Sequence, residues 1–144
     1  MATVKNILEH KGANVVTCGL EETVLQAARV MNEHGIGALV VVDGGKVVGI
    51  FTERDVMRRV VAAGSDPGAT RVRDVMTQPV ISCTPDTPVD ECRAIVTARR
   101  IRHLPIVQDG RLCGIVTSGD VLAQQLREQQ EALDYLNNWA YGGR

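Results

Sequence analysis

Two tetrads, Thr52-Glu53-Arg54-Asp55 and Thr117-Ser118-Gly119-Asp120, carry the most specific chemistry-bearing spacing in the chain. Each follows a short apolar run, so each reads as a strand passing into a helix. Thr and Asp then fall in the first helical turn, where backbone N–H groups have no partners inside the helix. Those N–H groups and the helix dipole make a modest anion site, and the Thr hydroxyl adds a donor. The carboxylate complements it by accepting two hydrogen bonds from a vicinal diol. A phosphate and a ribose on one molecule need that donor-plus-acceptor pair. Gly49, ahead of the first tetrad, is expected to let a ligand approach the backbone. The same T-x-x-D spacing also serves as a capping box, in which Thr and Asp satisfy helix N–H groups. The residues alone leave both readings open.

Basic residues supply the second hint. Arg99 and Arg100 fit a helix end, where cations favour the dipole, while Arg102 and His103 stand at the entry to a strand. Arg54 is a further phosphate candidate, with Ser118 as its polar counterpart. Catalysis finds little material. His10, His34 and His103 fall in no nucleophile or metal pattern, and the Gly44-Gly45 pair is not followed by a helix as a dinucleotide fingerprint requires. Nucleophile, base and orienter cannot be named, so the chain is not expected to be an enzyme.

The elements that position these groups repeat. Gly49–Val56 reads G-I-F-T-E-R-D-V and Gly114–Val121 reads G-I-V-T-S-G-D-V, 65 positions later. A short helical pattern (Val4, Ile7, Leu8) ends at Gly12, and Val15-Val16-Thr17 is an expected strand. Thr23 to Gln26 forms a capping box for a helix with Val24, Ala27, Ala28 and Met31 on one face. Ala38–Val42 and Val47–Thr52 make a hairpin around Asp43-Gly44-Gly45, and a helix runs on from Thr52 through Val61. After the linker Gly64–Gly68 the order returns. Val72, Val75 and Met76 echo the opening turn, and Val80-Ile81-Ser82 the first strand. Thr87-Pro88 opens a helix with Pro at its first position. A second hairpin follows around Asp109-Gly110. The last helix is longer, with Leu122, Leu126, Leu133 and Leu136 on one face, an expected intersubunit contact.

The chain has 144 residues, 44% of them apolar, and a formal net charge of −1. That suits a globular core and excludes a strongly basic nucleic-acid binder. No apolar run reaches the roughly 20 residues of a membrane span, and the N-terminus lacks a secretory pattern. The cytoplasm is the expected location. Cys18, Cys83, Cys92 and Cys113 lack zinc-ribbon spacing and read as reduced thiols.

Two copies of a β-α-β-β-α unit resemble a CBS-domain pair, or Bateman module. The resemblance is carried by the twin G-I-F-T-E-R-D-V and G-I-V-T-S-G-D-V segments, the Asp-Gly hairpins and Arg102-His103-Leu104-Pro105-Ile106. It is narrower still to small stand-alone bacterial two-CBS proteins. It implies an α/β fold of tandem repeats packed through their sheets with pseudo-two-fold symmetry. The divisions would be residues 1–67, residues 68–126 and a C-terminal extension, 127–144. It also implies two clefts for an adenine nucleotide: AMP, ADP, ATP or NAD(H). One would use Val15, Val16, Thr17, Gly37 and Ala38 with Thr117 and Asp120. The other would use Val80, Ile81, Ser82, Arg102 and His103 with Thr52 and Asp55. The implied role is regulatory, through a homodimer acting on a protein target in trans, without nucleic acid or membrane. A dimerising scaffold with vestigial clefts is the alternative.

Overall fold

The computed structural model describes residues 1–142, so the last two residues of the expected C-terminal tail lie outside it. Helix α1 (Val4–Lys11) leads to strand β1 (Thr17–Cys18), which pairs in parallel with β2 (Ala38–Asp43). Between them lies α2 (Val24–His34). Its capping box is the expected one, with Thr23 Oγ1 accepting from the Gln26 N–H at 3.1 Å and Gln26 Oε1 from the Thr23 N–H at 2.9 Å. Gly35 ends the helix in the left-handed region, at φ 62°. Strand β2 turns back through Gly44 and Gly45 into β3 (Lys46–Thr52), antiparallel, with an irregularity between Val41 and Val42.

A three-residue α3 (Glu53–Asp55) follows β3, then a π-helical turn, Val56–Val61. The sequence predicts one uninterrupted α-helix here. The wider turn buries Val60 and leaves Met57 and Val61 facing outward.

The second half carries α4 (Val72–Val75), α5 (Val89–Arg99), the hairpin β4 (His103–Gln108) and β5 (Arg111–Thr117), and α6 (Ser118–Asn137). The β4–β5 hairpin repeats the irregularity of the first at the equivalent place, between Ile106 and Val107. Pro88 sits at the cap of α5, one residue before the helix.

Val80-Ile81-Ser82 is not a strand. Only Cys83 bridges to Ile106, exchanging backbone bonds with Pro105 and Val107. The cause is one residue. In the first half the Val40 N–H donates to the Val16 carbonyl at 3.4 Å. Pro105 occupies the position equivalent to Val40 and has no N–H to give Ile81.

The opening helices are exchanged between the repeats. Val4 and Ile7 of α1 lie in the core built by Val89, Cys92, Leu104, Ile106, Val116 and Val121. Val72, Val75 and Met76 lie in the core built by Val24, Ala27, Met31, Leu39, Val41, Phe51 and Val60. Backbone bonds seal both exchanges, Val4 N–H to Thr87 O and Val72 N–H to Glu22 O, each at 2.9 Å. Neither core is complete without the other half.

Candidate functional site

Both T-x-x-D tetrads close as capping boxes. Thr52 Oγ1 accepts from the Asp55 N–H at 3.3 Å while Asp55 Oδ2 accepts from the Thr52 N–H at 3.0 Å. In the second copy these distances are 3.1 and 2.8 Å. The two carboxylates then differ. Asp55 is 6% exposed, and its other oxygen accepts from Thr77 Oγ1 at 2.9 Å, with Arg59 Nε 3.6 Å away. Both oxygens are committed to protein partners. Asp120 is more open. Lys11 Nζ donates to its Oδ2 at 2.6 Å and to the Ile115 carbonyl at 2.9 Å. Its Oδ1 carries no protein donor among the described residues.

Thr77 and Lys11 are functional neighbours that the sequence reading missed. Both come from the exchanged segments, and no local pattern marks them. The exchange also changes the meaning of Gly49. A Cβ there would lie 2.5 Å from the Met76 sulfur, and one on Gly114 would lie 2.8 Å from Leu8 Cδ2. These glycines admit the opening helix of the opposite repeat, rather than the ligand expected at Gly49.

The strand entries sit beside their own repeat's tetrad. Ala38 pairs with Thr52, and the Gly37 carbonyl accepts from the Glu53 N–H at 3.0 Å. His103 pairs with Thr117, and the Arg102 carbonyl accepts from the Ser118 N–H at 3.0 Å. The repeats meet where Arg54 Nη1 donates to the Arg100 carbonyl at 3.1 Å. Burial holds the His103 imidazole below its usual pKa, and the charges of Lys11 and Arg102 push the same way against Glu53 and Asp120. Burial raises the Asp120 carboxyl, but the Lys11 and Thr117 hydrogen bonds outweigh it and bring the group below the carboxylate range.

The strand expected at Val15-Val16-Thr17 is shifted to Thr17–Cys18. Thr17 lies opposite Val40, the Val16 carbonyl accepts from the Val40 N–H and its side chain packs on the first core, and Val15 precedes the strand. Ile81 packs on the second core. Val80 and Ser82 line an inter-repeat cleft of about 610 Å³ with Lys46, Val47, Val48, Gln78, Pro79, Val107 and Gly110. It brings the start of β3 against the end of the second hairpin. Lys46 and Gln78 add polar groups there that the sequence reading did not single out. No helix among the described residues is long and apolar enough to cross a membrane.

Twin hairpin units with exchanged helices and a cleft between them define a tandem-repeat module. The CBS-domain family model matches residues 4–62 and 72–127, and the chain belongs to that family. It is 35% identical to the mitochondrial CBS domain-containing protein CBSX3 of Arabidopsis thaliana, over 98% of this chain and 73% of that protein. The crystal structure of the CBS-domain containing protein ATU1752 from Agrobacterium tumefaciens superposes with TM-score 0.81 at 39% identity, covering 86% of this chain and 99% of that one. The CBS domain pair of protein MJ0100, in complex with 5′-methylthioadenosine and S-adenosyl-L-methionine, superposes with TM-score 0.79 at 30% identity, covering 89% and 98%.

Proposed function

We propose that this chain is a regulatory module that binds an adenine nucleotide between its repeats and acts on a protein in trans. The observation that carries the reading is the inter-repeat cleft at Val80 and Ser82. Its volume of about 610 Å³ lies within the roughly 300–1,000 Å³ of small-ligand sites. Val47, Val48, Val80 and Val107 offer apolar faces to a purine, while Ser82, Gln78 and Lys46 offer polar groups. The MJ0100 pair holds two adenosine-containing ligands, which favours that class. AMP is the first candidate, with ADP, ATP and NAD(H) as alternatives. Asp120 does not line this cleft, since Thr117 and Gly110 lie at opposite ends of the β4–β5 hairpin. With an oxygen free of protein donors among the described residues, it is the better of the two carboxylates for a ribose bound at the tetrad end instead. A ligand touching both repeats shifts their arrangement only by its differential affinity for the two states.

The saturated Asp55 favours a second reading for its own side, a structural cap without ligand. A homodimer is part of the proposal. Met57, Val61, Leu122 and Leu126 stand exposed at equivalent positions of the two repeats, and a second copy would cover both pairs.

The test is thermal unfolding with millimolar AMP, ATP, NAD and 5′-methylthioadenosine, on wild type and Ser82→Trp. A ligand at 100 times its Kd stabilises by about 2.7 kcal/mol. An upward shift that Ser82→Trp removes supports the reading. No shift with any of them, and no nucleotide released from the purified protein, would overturn it in favour of the scaffold.

A further inference from the structure

The second repeat holds a thiol pair that the first lacks. Cys83 and Cys18 are equivalent, but opposite Cys18 the first repeat has Ala27 where the second has Cys92. The Cys92 S–H points at the Cys83 sulfur, 3.8 Å away, inside the second core. Cys83 is fixed on the strand side, its N–H donating to Pro105 O and its carbonyl accepting from the Val107 N–H. Cys92 is fixed on α5. The two sulfurs face each other from separate elements, with no other side chain needed to bring them together.

We propose that Cys83 and Cys92 are a modification site: a dithiol that a peroxide converts to an intramolecular disulfide. Cys83 is the attacking group. Its sulfur accepts the Cys92 hydrogen bond, which lowers its pKa, whereas that bond together with burial raises the Cys92 thiol. Cys83 is also the more accessible, at 5% exposure against 0% for Cys92. The Cys83 thiolate attacks one peroxide oxygen. The O–O bond breaks, leaving a sulfenic acid and a hydroxide that takes up a proton to become water. The Cys92 sulfur then displaces the sulfenic hydroxyl, which leaves with the Cys92 proton as a second water. Two thiols are oxidised and one peroxide is reduced. Thiol exchange with a reductant such as glutathione reverses the bond. The sulfurs must close to about 2 Å, one residue from Ser82 in the inter-repeat cleft. The site stands whether or not that cleft binds a nucleotide.

The test is peroxide titration of the full chain, followed by alkylation and intact-mass and peptide mapping of wild type, Cys92→Ala and Cys113→Ser. Cys92→Ala copies the first repeat, so its packing has a precedent in the same molecule. The expected result is a loss of two hydrogen atoms mapped to Cys83–Cys92 in wild type and Cys113→Ser. Cys92→Ala should lack the bond, and dithiothreitol should restore wild type. Oxygen added at Cys83 without a bond would overturn the proposal. So would a bond from Cys83 to any other cysteine, or both thiols remaining alkylatable at peroxide levels that oxidise Cys113.

Discussion

Lys11 and Asp120, 109 residues apart in sequence, meet at 2.6 Å. Lys11 is the last residue of α1, and Asp120 caps the helix after β5. The pair therefore pins the end of the exchanged helix to the tetrad of the opposite repeat. Each side chain keeps about a quarter of its surface in water, which limits the pair to about 1 kcal/mol or less. Replacing Lys11 with Met should lower stability at pH 7 by that amount in urea unfolding. It should also change the acid limb. Asp120 has a depressed folded pKa, so its contribution is present above the unfolded value of about 3.9 and is lost as pH falls through the lower folded value. Lys11→Met should lose less stability than wild type over that interval. Parallel acid limbs would show that the pair is not formed in solution.

Asp55 and Asp120 should respond differently to truncation. Asp55→Ala removes a buried cap and strands Thr77 Oγ1 and the Thr52 N–H, each deprived of its carboxylate. Loss of a cap costs roughly 0.5–2 kcal/mol, and the two stranded groups, on half-buried threonines, add less than the about 1–3 kcal/mol of a fully buried unsatisfied group. Asp120→Ala should cost only the cap and the exposed ion pair. Denaturant midpoints compare the two directly. A larger loss at Asp120 would contradict the burial difference.

Gly49→Ala should destabilise by about 1–3 kcal/mol, the usual range for overpacking, because the new methyl meets the Met76 sulfur. Met76→Ala should relieve it, so the double variant should be more stable than the two single losses sum to. Additive losses would mean that the glycine serves something other than helix exchange.

Arg100 should tolerate glycine better than arginine. It ends α5 at φ 53°, where the first repeat has Gly35 at φ 62°. A side chain in the left-handed region costs about 1–2 kcal/mol, so Arg100→Gly should raise the thermal midpoint. The Arg54 hydrogen bond survives the change because it is made to the Arg100 backbone carbonyl.

His103 should make the fold sensitive to mild acid. Its folded pKa is lowered, chiefly by burial. The unfolded chain therefore binds the proton first, near pH 6.5, and stability falls as pH drops from there through the lower folded value. His103→Asn should flatten that interval in a stability-against-pH series, and NMR should show a neutral ring at pH 7. An unchanged profile would place the acid sensitivity elsewhere.

The sequence alone determined the repeat, the hairpins, the Thr23 capping box and the family, because these are local patterns, and all but the capping box, whose equivalent position is Pro88, are written twice. Hydrophobic period, Asp-Gly turns and T-x-x-D spacing act within a few residues of one another. The tertiary structure alone decided which half completes which core. Exchange of α1 and α4 is a choice between two near-equivalent sheets, and no local pattern distinguishes them. That choice placed Lys11 on Asp120, Thr77 on Asp55 and Met76 over Gly49. It made two identical spacings chemically unequal, one carboxylate closed off by protein donors and the other left with an oxygen to offer. Even the missing strand at Val80–Ser82 follows the same rule: Pro105 is plain in the sequence, but its effect appears only once its neighbour across the sheet is known.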